Sequence, residues 1–176
     1  MEKFVKKADG SLLTPPFRVT FPHVFEPNED GKYGLGMLFD DDVDFSVLEK
    51  LIKETINEKW SEGRPAKLML PILDGDDSDR EEYQGKMYIN GKGGKYAPGV
   101  VDQAKAEITD PTEFYPGCWA RAVINCYGWT FKGKAGVSVG VRNLQKVKDG
   151  EPFLSRVRAD NDFDDYVIEE NESDDL

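Results

Sequence analysis

Residues Cys118–Phe131 read CWARAVINCYGWTF, and the reading of this run decides the fold. One parity holds Cys118, Ala120, Ala122, Ile124, Cys126, Gly128 and Thr130. The other holds Trp119, Arg121, Val123, Asn125, Tyr127, Trp129 and Phe131. Alternation with a period of two marks a β-strand with one buried face. The first set is small and mostly apolar, so it is expected to face a core. The second mixes aromatic rings with Arg and Asn, so part of it is expected to meet solvent. Cys118 and Cys126 lie ~26 Å apart along such a strand, too far to bridge within the chain. A reduced, cytoplasmic state fits.

Working outward, Lys132-Gly133-Lys134-Ala135-Gly136 reads as a hairpin connection. Val137, Val139 and Val141 alternate in a returning strand, with Gln145, Lys146 and Lys148 beyond and a last turn at Asp149-Gly150-Glu151. Upstream, Lys86–Asn90 reads as a strand, followed by the Gly-rich stretch Gly91–Tyr96. That stretch is not a phosphate-binding P-loop, because Gly85 stands one residue too far from Gly91-Lys92 and Gly93 occupies the Ser/Thr position. Phe17, Val19 and Phe21 alternate in an early strand, and Tyr33–Phe39 makes another, with Gly34 and Gly36 permitting a bulge. The one helix runs from about 45 to 60, with Phe45, Leu48, Leu51, Ile52 and Ile56 on one face. Asp44 is its expected N-cap, and Gly63-Arg64-Pro65 stops it. Residues 1–14 read as a flexible arm ending at Thr14-Pro15-Pro16. The sum is a mainly β chain: a small barrel of short twisted strands with one packed helix, in a single domain over 1–159.

Charge divides the 176 residues sharply. The net charge is -11. Residues 86–159 nevertheless hold 12 Lys+Arg against 6 Asp+Glu, whereas 160–176 hold 9 acids and no base. The basic block can meet a polyanion; the acidic end can compete with one. Like charges at that density resist compaction, so 160–176 is expected to be a disordered tail. Phe163, Tyr166, Val167 and Ile168 stand in it as short docking elements. No apolar run approaches the ~20 residues of a membrane span, and the first residues lack the apolar core of an export signal.

Catalytic chemistry is hard to assemble. A single histidine, His23, offers little choice of general base, and two cysteines with one histidine make no zinc site. Asp74-Gly75-Asp76-Asp77-Ser78-Asp79 lacks the Gly and Glu of a calcium loop at their required places. No metal and no cofactor is expected. Binding to a single nucleic-acid strand needs cations for phosphates and flat rings for unpaired bases. Residues 86–134 interleave both: Lys86, Tyr88, Lys92, Lys95, Tyr96, Trp119, Arg121, Tyr127, Trp129, Phe131, Lys132 and Lys134. Arg142 and Lys146 extend the track.

Three segments carry a family likeness: Gly85–Asn90 (GKMYIN), Pro98–Asp102 (PGVVD) and Ile108–Trp119 (ITDPTEFYPGCW). With Gly136–Val141, Asn143-Leu144-Gln145 and Asp162-Phe163, the chain resembles the phage-encoded OB-fold single-stranded-DNA-binding proteins over roughly residues 17–163. The resemblance implies an OB-fold-like Greek-key barrel, non-enzymatic binding of single-stranded DNA during phage replication or recombination, and work in the cytoplasm of an infected bacterium. It also implies an acidic C-terminal tail that occupies the groove and recruits replication proteins such as DNA polymerase or helicase. Some relatives end in an aromatic residue after the acids. Here the last residues are Asp174, Asp175 and Leu176, and Phe163 or Tyr166 would take that docking role. Duplex DNA, held weakly through phosphates alone, stays open as a second mode. Two other classes remain: an acidic DNA-mimic inhibitor, and a metal-dependent nuclease using Asp74 or Asp76.

Overall fold

The computed structural model describes residues 2–153 together with 163, 165 and 166. The expectations placed on Asp174, Asp175, Leu176 and the rest of the tail lie outside the described residues. In chain order the elements are β1 (Val5–Lys6), β2 (Leu12–Leu13), β3 (Phe17–His23), β4 (Tyr33–Phe39), α1 (Ser46–Lys59), β5 (Leu73–Asp74), β6 (Met87–Gly94), β7 (Gly99–Val101), β8 (Trp119–Phe131) and β9 (Lys134–Lys148). Five of them close a ring. β3 pairs with β4, β4 with β6, β6 with β9, β9 with β8, and β8 with β3. Every pairing in the ring is antiparallel except β6 with β9, which is parallel; outside it, β7 also runs parallel to β9. This is the OB-like barrel expected for a mainly β chain with Greek-key connections.

The alternation of the sequence is what fills the barrel. Cys118, just before β8, and Ala120, Ala122 and Ile124 on it are buried, as are Val137, Val139, Val141 and Leu144 of β9. Phe17, Val19, Met37, Phe39 and Ile89 complete the centre from β3, β4 and β6. The small residues Ala120 and Ala122 of β8 leave room for these phenylalanines and isoleucines. Helix α1 buries Leu48, Ile52 and Ile56 and packs on β8, where Gly128 lets the Lys59 and Trp60 side chains come close. The residue at the helix N-cap is Phe45 rather than Asp44, but the Asp44 carboxylate still accepts the Ser46 N–H at 2.9 Å. That bond holds the Asp44 carboxyl below its ordinary range.

Two features differ from the sequence reading. Residues 1–14 are not a loose arm over their described part. β1 and β2 form a hairpin whose Leu12 and Leu13 pair with Ile124 and Val123 of β8. Phe4 and Leu12 are each 1% exposed, and the Phe4 ring sits 5.6 Å from both Phe39 and Phe45. Thr14 seals the junction: its N–H donates to the Ala122 carbonyl, and its hydroxyl accepts the Ala122 N–H, both at 2.9 Å. Strands of two residues carry no periodicity, so apolar burial fixes them where pattern cannot. The second difference is Phe21. Alternation would bury it with Phe17 and Val19, but a bulge between Thr20 and His23 turns it outward, 49% exposed at φ 44°. The Arg80 guanidinium covers its ring at 4.2 Å.

Candidate nucleic-acid interface

The outward parity of β8 continues across the barrel through its registered neighbours. Asn125 stands opposite Gly140 of β9, Gly140 beside Lys92 of β6, Lys92 opposite Gly34 of β4, and Gly34 opposite His23 of β3. In the adjoining positions Tyr127 faces Ser138 and Asn90 faces Gly36. These positions hold rings, amides, hydroxyls, glycines and one lysine, and no carboxylate. The glycines keep the surface low. A Cβ on Gly140 would lie 3.6 Å from the Tyr127 ring. Trp129 lies over Gly136, and its indole N–H donates to the Ser138 hydroxyl at 2.9 Å. That hydrogen bond ties the half-buried indole to β9. Tyr127 is 43% exposed.

The face continues to the end of the β8–β9 hairpin. Lys132 (φ 48°) and Gly133 (φ 80°) form its two-residue turn, with both residues in the left-handed region such a turn demands. Phe131, Lys132 and Lys134 are exposed there. On the loop after β6, Lys95 and Tyr96 are exposed too. Among the described residues, none of Lys92, Lys95, Lys132 and Lys134 has a carboxylate within ion-pair distance.

Other candidates are held elsewhere. Lys86 pairs with Asp40 at 3.7 Å. Tyr88 leans on Tyr83, ring centroids 4.8 Å apart, beneath the segment that β5 pins to β6. Tyr83 is buried and donates to the Thr20 hydroxyl at 2.9 Å, and burial raises its phenol pKa. Arg142 binds Asp9 at 2.9 Å on the N-terminal hairpin. Bonds from Ser11 and Arg142 hold the Asp9 carboxyl well below the usual carboxylate range. Lys146 pairs with Asp149 at 2.7 Å. Partial burial alone would lower the Lys146 pKa, but the Asp149 carboxylate outweighs it and raises it. The Lys146 ammonium and the Tyr115 hydroxyl in turn lower the Asp149 carboxyl. Arg121 is exposed on the β8 face, donating to Gln145 at 2.8 Å and lining a groove of ~480 Å³ with Lys3, Pro15, Pro16 and Gln103. Phe163 and Tyr166 are exposed.

Asp74 and Asp76 serve the loop itself. The first accepts the Asp76 N–H at 2.9 Å, the second the Gly85 N–H at 2.7 Å. Among the described residues no three His, Cys, Asp or Glu side chains converge as metal ligands, and no helix is long and apolar enough to cross a membrane. Cys118 and Cys126 are both free thiols, and burial pushes Cys126 up to about 12. Sequence reasoning missed Asn90, Asn125 and Ser138, which carry no charge to mark them.

These features define a class: a closed OB-like barrel whose open outer face combines exposed or half-buried rings with lysines that have no carboxylate partner among the described residues. The chain belongs to the family of the single-stranded-DNA-binding protein of Enterobacter phage Enc34, whose family model matches residues 11–176. The solved structure of the bacteriophage Enc34 single-stranded DNA-binding protein superposes with a TM-score of 0.74 at 26% identity, covering 93% of this chain and 96% of that one. The structure of the Enc34 protein in complex with ssDNA gives 0.73 at 27% identity, covering 87% and 94%. Gp2.5, a single-stranded DNA-binding protein encoded by bacteriophage T7, shares the fold at a TM-score of 0.62 and 11% identity, covering 86% and 99%. No curated protein sequence matches the chain.

Proposed function

We propose that this protein binds single-stranded DNA without sequence preference and without catalysis, in the replication or recombination of phage DNA inside an infected bacterium. The observation that carries the reading is the acid-free outer face running from His23 and Lys92 across Gly140 and Asn125 to Tyr127 and Trp129. Lys92, Lys95, Lys132 and Lys134 meet phosphates, and Tyr127, Trp129 and Tyr96 offer faces to bases. Membership of a family that includes a protein with a solved structure in complex with ssDNA supports the same reading. Asn90 and Asn125 add neutral hydrogen bonds that track a backbone whatever its sequence.

The acidic end, residues 160–176, competes with DNA for these lysines. When displaced, it recruits replication proteins such as a polymerase or helicase through Phe163 and Tyr166. The test is a titration of labelled oligo-dT with the full chain and with residues 1–159 at two salt concentrations. Binding is expected to weaken with salt by ~0.7 log units per log unit for each phosphate neutralised. The shorter chain is expected to bind more tightly. A core that binds no strand at low salt points instead to a DNA-mimic inhibitor. Magnesium-dependent loss of the oligonucleotide, abolished by Asp74→Asn or Asp76→Asn, points to a nuclease.

A further inference from the structure

Beyond the open face, the end of the β8–β9 hairpin closes against a second piece of chain. Met69 forms a parallel bridge with Gly136: its N–H donates to the Ala135 carbonyl at 3.0 Å, and its carbonyl accepts the Val137 N–H at 2.9 Å. This straps the segment between α1 and β5 onto the edge of β9. The strap and the hairpin enclose an open pocket of ~360 Å³ lined by Pro65, Lys67, Phe131, Lys132 and Lys134. No acidic side chain, among the described residues, lines it. Phe131 is 65% exposed at this opening. The Lys132 ammonium stands 5.2 Å from its ring centroid, and the remaining lysines surround the same opening.

A ring with a free face, a proline wall and three ammonium groups matches one ligand chemistry, a flat aromatic base carrying phosphates. Phe131 shares the outward parity of Tyr127 and Trp129, so the pocket continues the face already described. We infer that this pocket is a distinct end-subsite for a strand lying on the barrel: Phe131 stacks one unpaired base while Lys67 and Lys134 hold the phosphates beside it. The inference rests on the proposed binding of single-stranded DNA and adds Phe131 and Lys67 to the contacts. It makes the occupied length of strand longer than the barrel face alone would need.

Phe131→Ala and Lys67→Ala alter exposed side chains, so both variants are expected to fold. Their affinities for a series of dT oligonucleotides of increasing length should be compared with those of the native protein. Short oligonucleotides that fill only the barrel face are expected to bind all three alike. Longer ones are expected to bind Phe131→Ala roughly 5- to 100-fold more weakly. Lys67→Ala is expected to lower the salt slope by ~0.7. Photocross-linking of 5-iodouracil placed at each position of the long oligonucleotide should label Phe131 from one end position. Equal affinity of native protein and Phe131→Ala at every length, with no cross-link to Phe131, overturns the subsite while leaving the binding reading intact. Failure of the native protein to bind any length overturns both.

Discussion

Two sets of basic side chains, drawn from the same stretch of sequence, have opposite fates in the fold. At the open face and hairpin end, Lys92, Lys132 and Lys134 stand among rings and glycines with no carboxylate partner among the described residues. At the other positions, Lys86, Arg142 and Lys146 are committed to Asp40, Asp9 and Asp149. A cation already neutralised by a carboxylate releases fewer counterions on meeting a phosphate, so it adds less to DNA affinity. The difference teaches that basic residues in this chain serve two purposes, and that only the neighbouring acids separate them.

The sharpest way to break this division is to reverse charge on the unpaired side. Lys92→Glu combined with Lys134→Glu is expected to weaken oligo-dT binding on the order of 100-fold at low salt and to flatten its salt dependence, as read by fluorescence anisotropy. Retained affinity would erase the distinction between the two sets. Next in size, Tyr127→Ala is expected to cost about 1–3 kcal/mol of binding with little change in melting temperature, since the ring lies on the surface. Trp129→Ala should lower both affinity and stability, because the indole also holds Ser138.

On the paired side the effects should appear in stability and not in binding. Tyr83→Phe removes a buried hydrogen bond to Thr20 and is expected to cost about 1 kcal/mol, measured by urea unfolding. Lys146→Gln should lower the melting temperature by about 2–4 °C and leave oligo-dT affinity within about twofold. The smallest effect is acid sensitivity. The Asp9, Asp44 and Asp149 carboxyls all titrate below their ordinary values in the folded chain. Their contribution is therefore complete above the unfolded carboxylate pKa of ~4 and is lost as pH falls through the folded values. Stability should decline on that acid limb, and Asp149→Asn should make the decline shallower.

How much of this was legible in the sequence depends on the range of the deciding interactions. The faces of β8 were readable because alternation over thirteen residues is a local signal. The helix was readable for the same reason, though its cap fell one residue later than Asp44. The N-terminal hairpin was not, because its order comes from Phe4 meeting Phe39 and Phe45, and from Thr14 meeting Ala122. Phe21 was misplaced because a single inserted residue reverses the side of everything after it. The candidate face was half legible. Tyr127, Trp129 and the hairpin lysines followed from one strand; Lys92 was legible in its own stretch, but its place beside them required knowing that β6 runs parallel to β9. The partners of Lys86 and Arg142 lie 46 and 133 residues away in sequence, beyond any local pattern.

The ring of five strands also bears on how many copies can share one thread of DNA. Strands at the margin of a sheet are sticky, and crowded proteins fuse through them. Here the five long strands each pair with two others around the ring, β6 and β9 through only two registered positions, and the sheet path ends in β1, two residues including a lysine, and β7, only three residues. Neighbours packed shoulder to shoulder would meet through side chains, and each could lift off again without unzipping from the next.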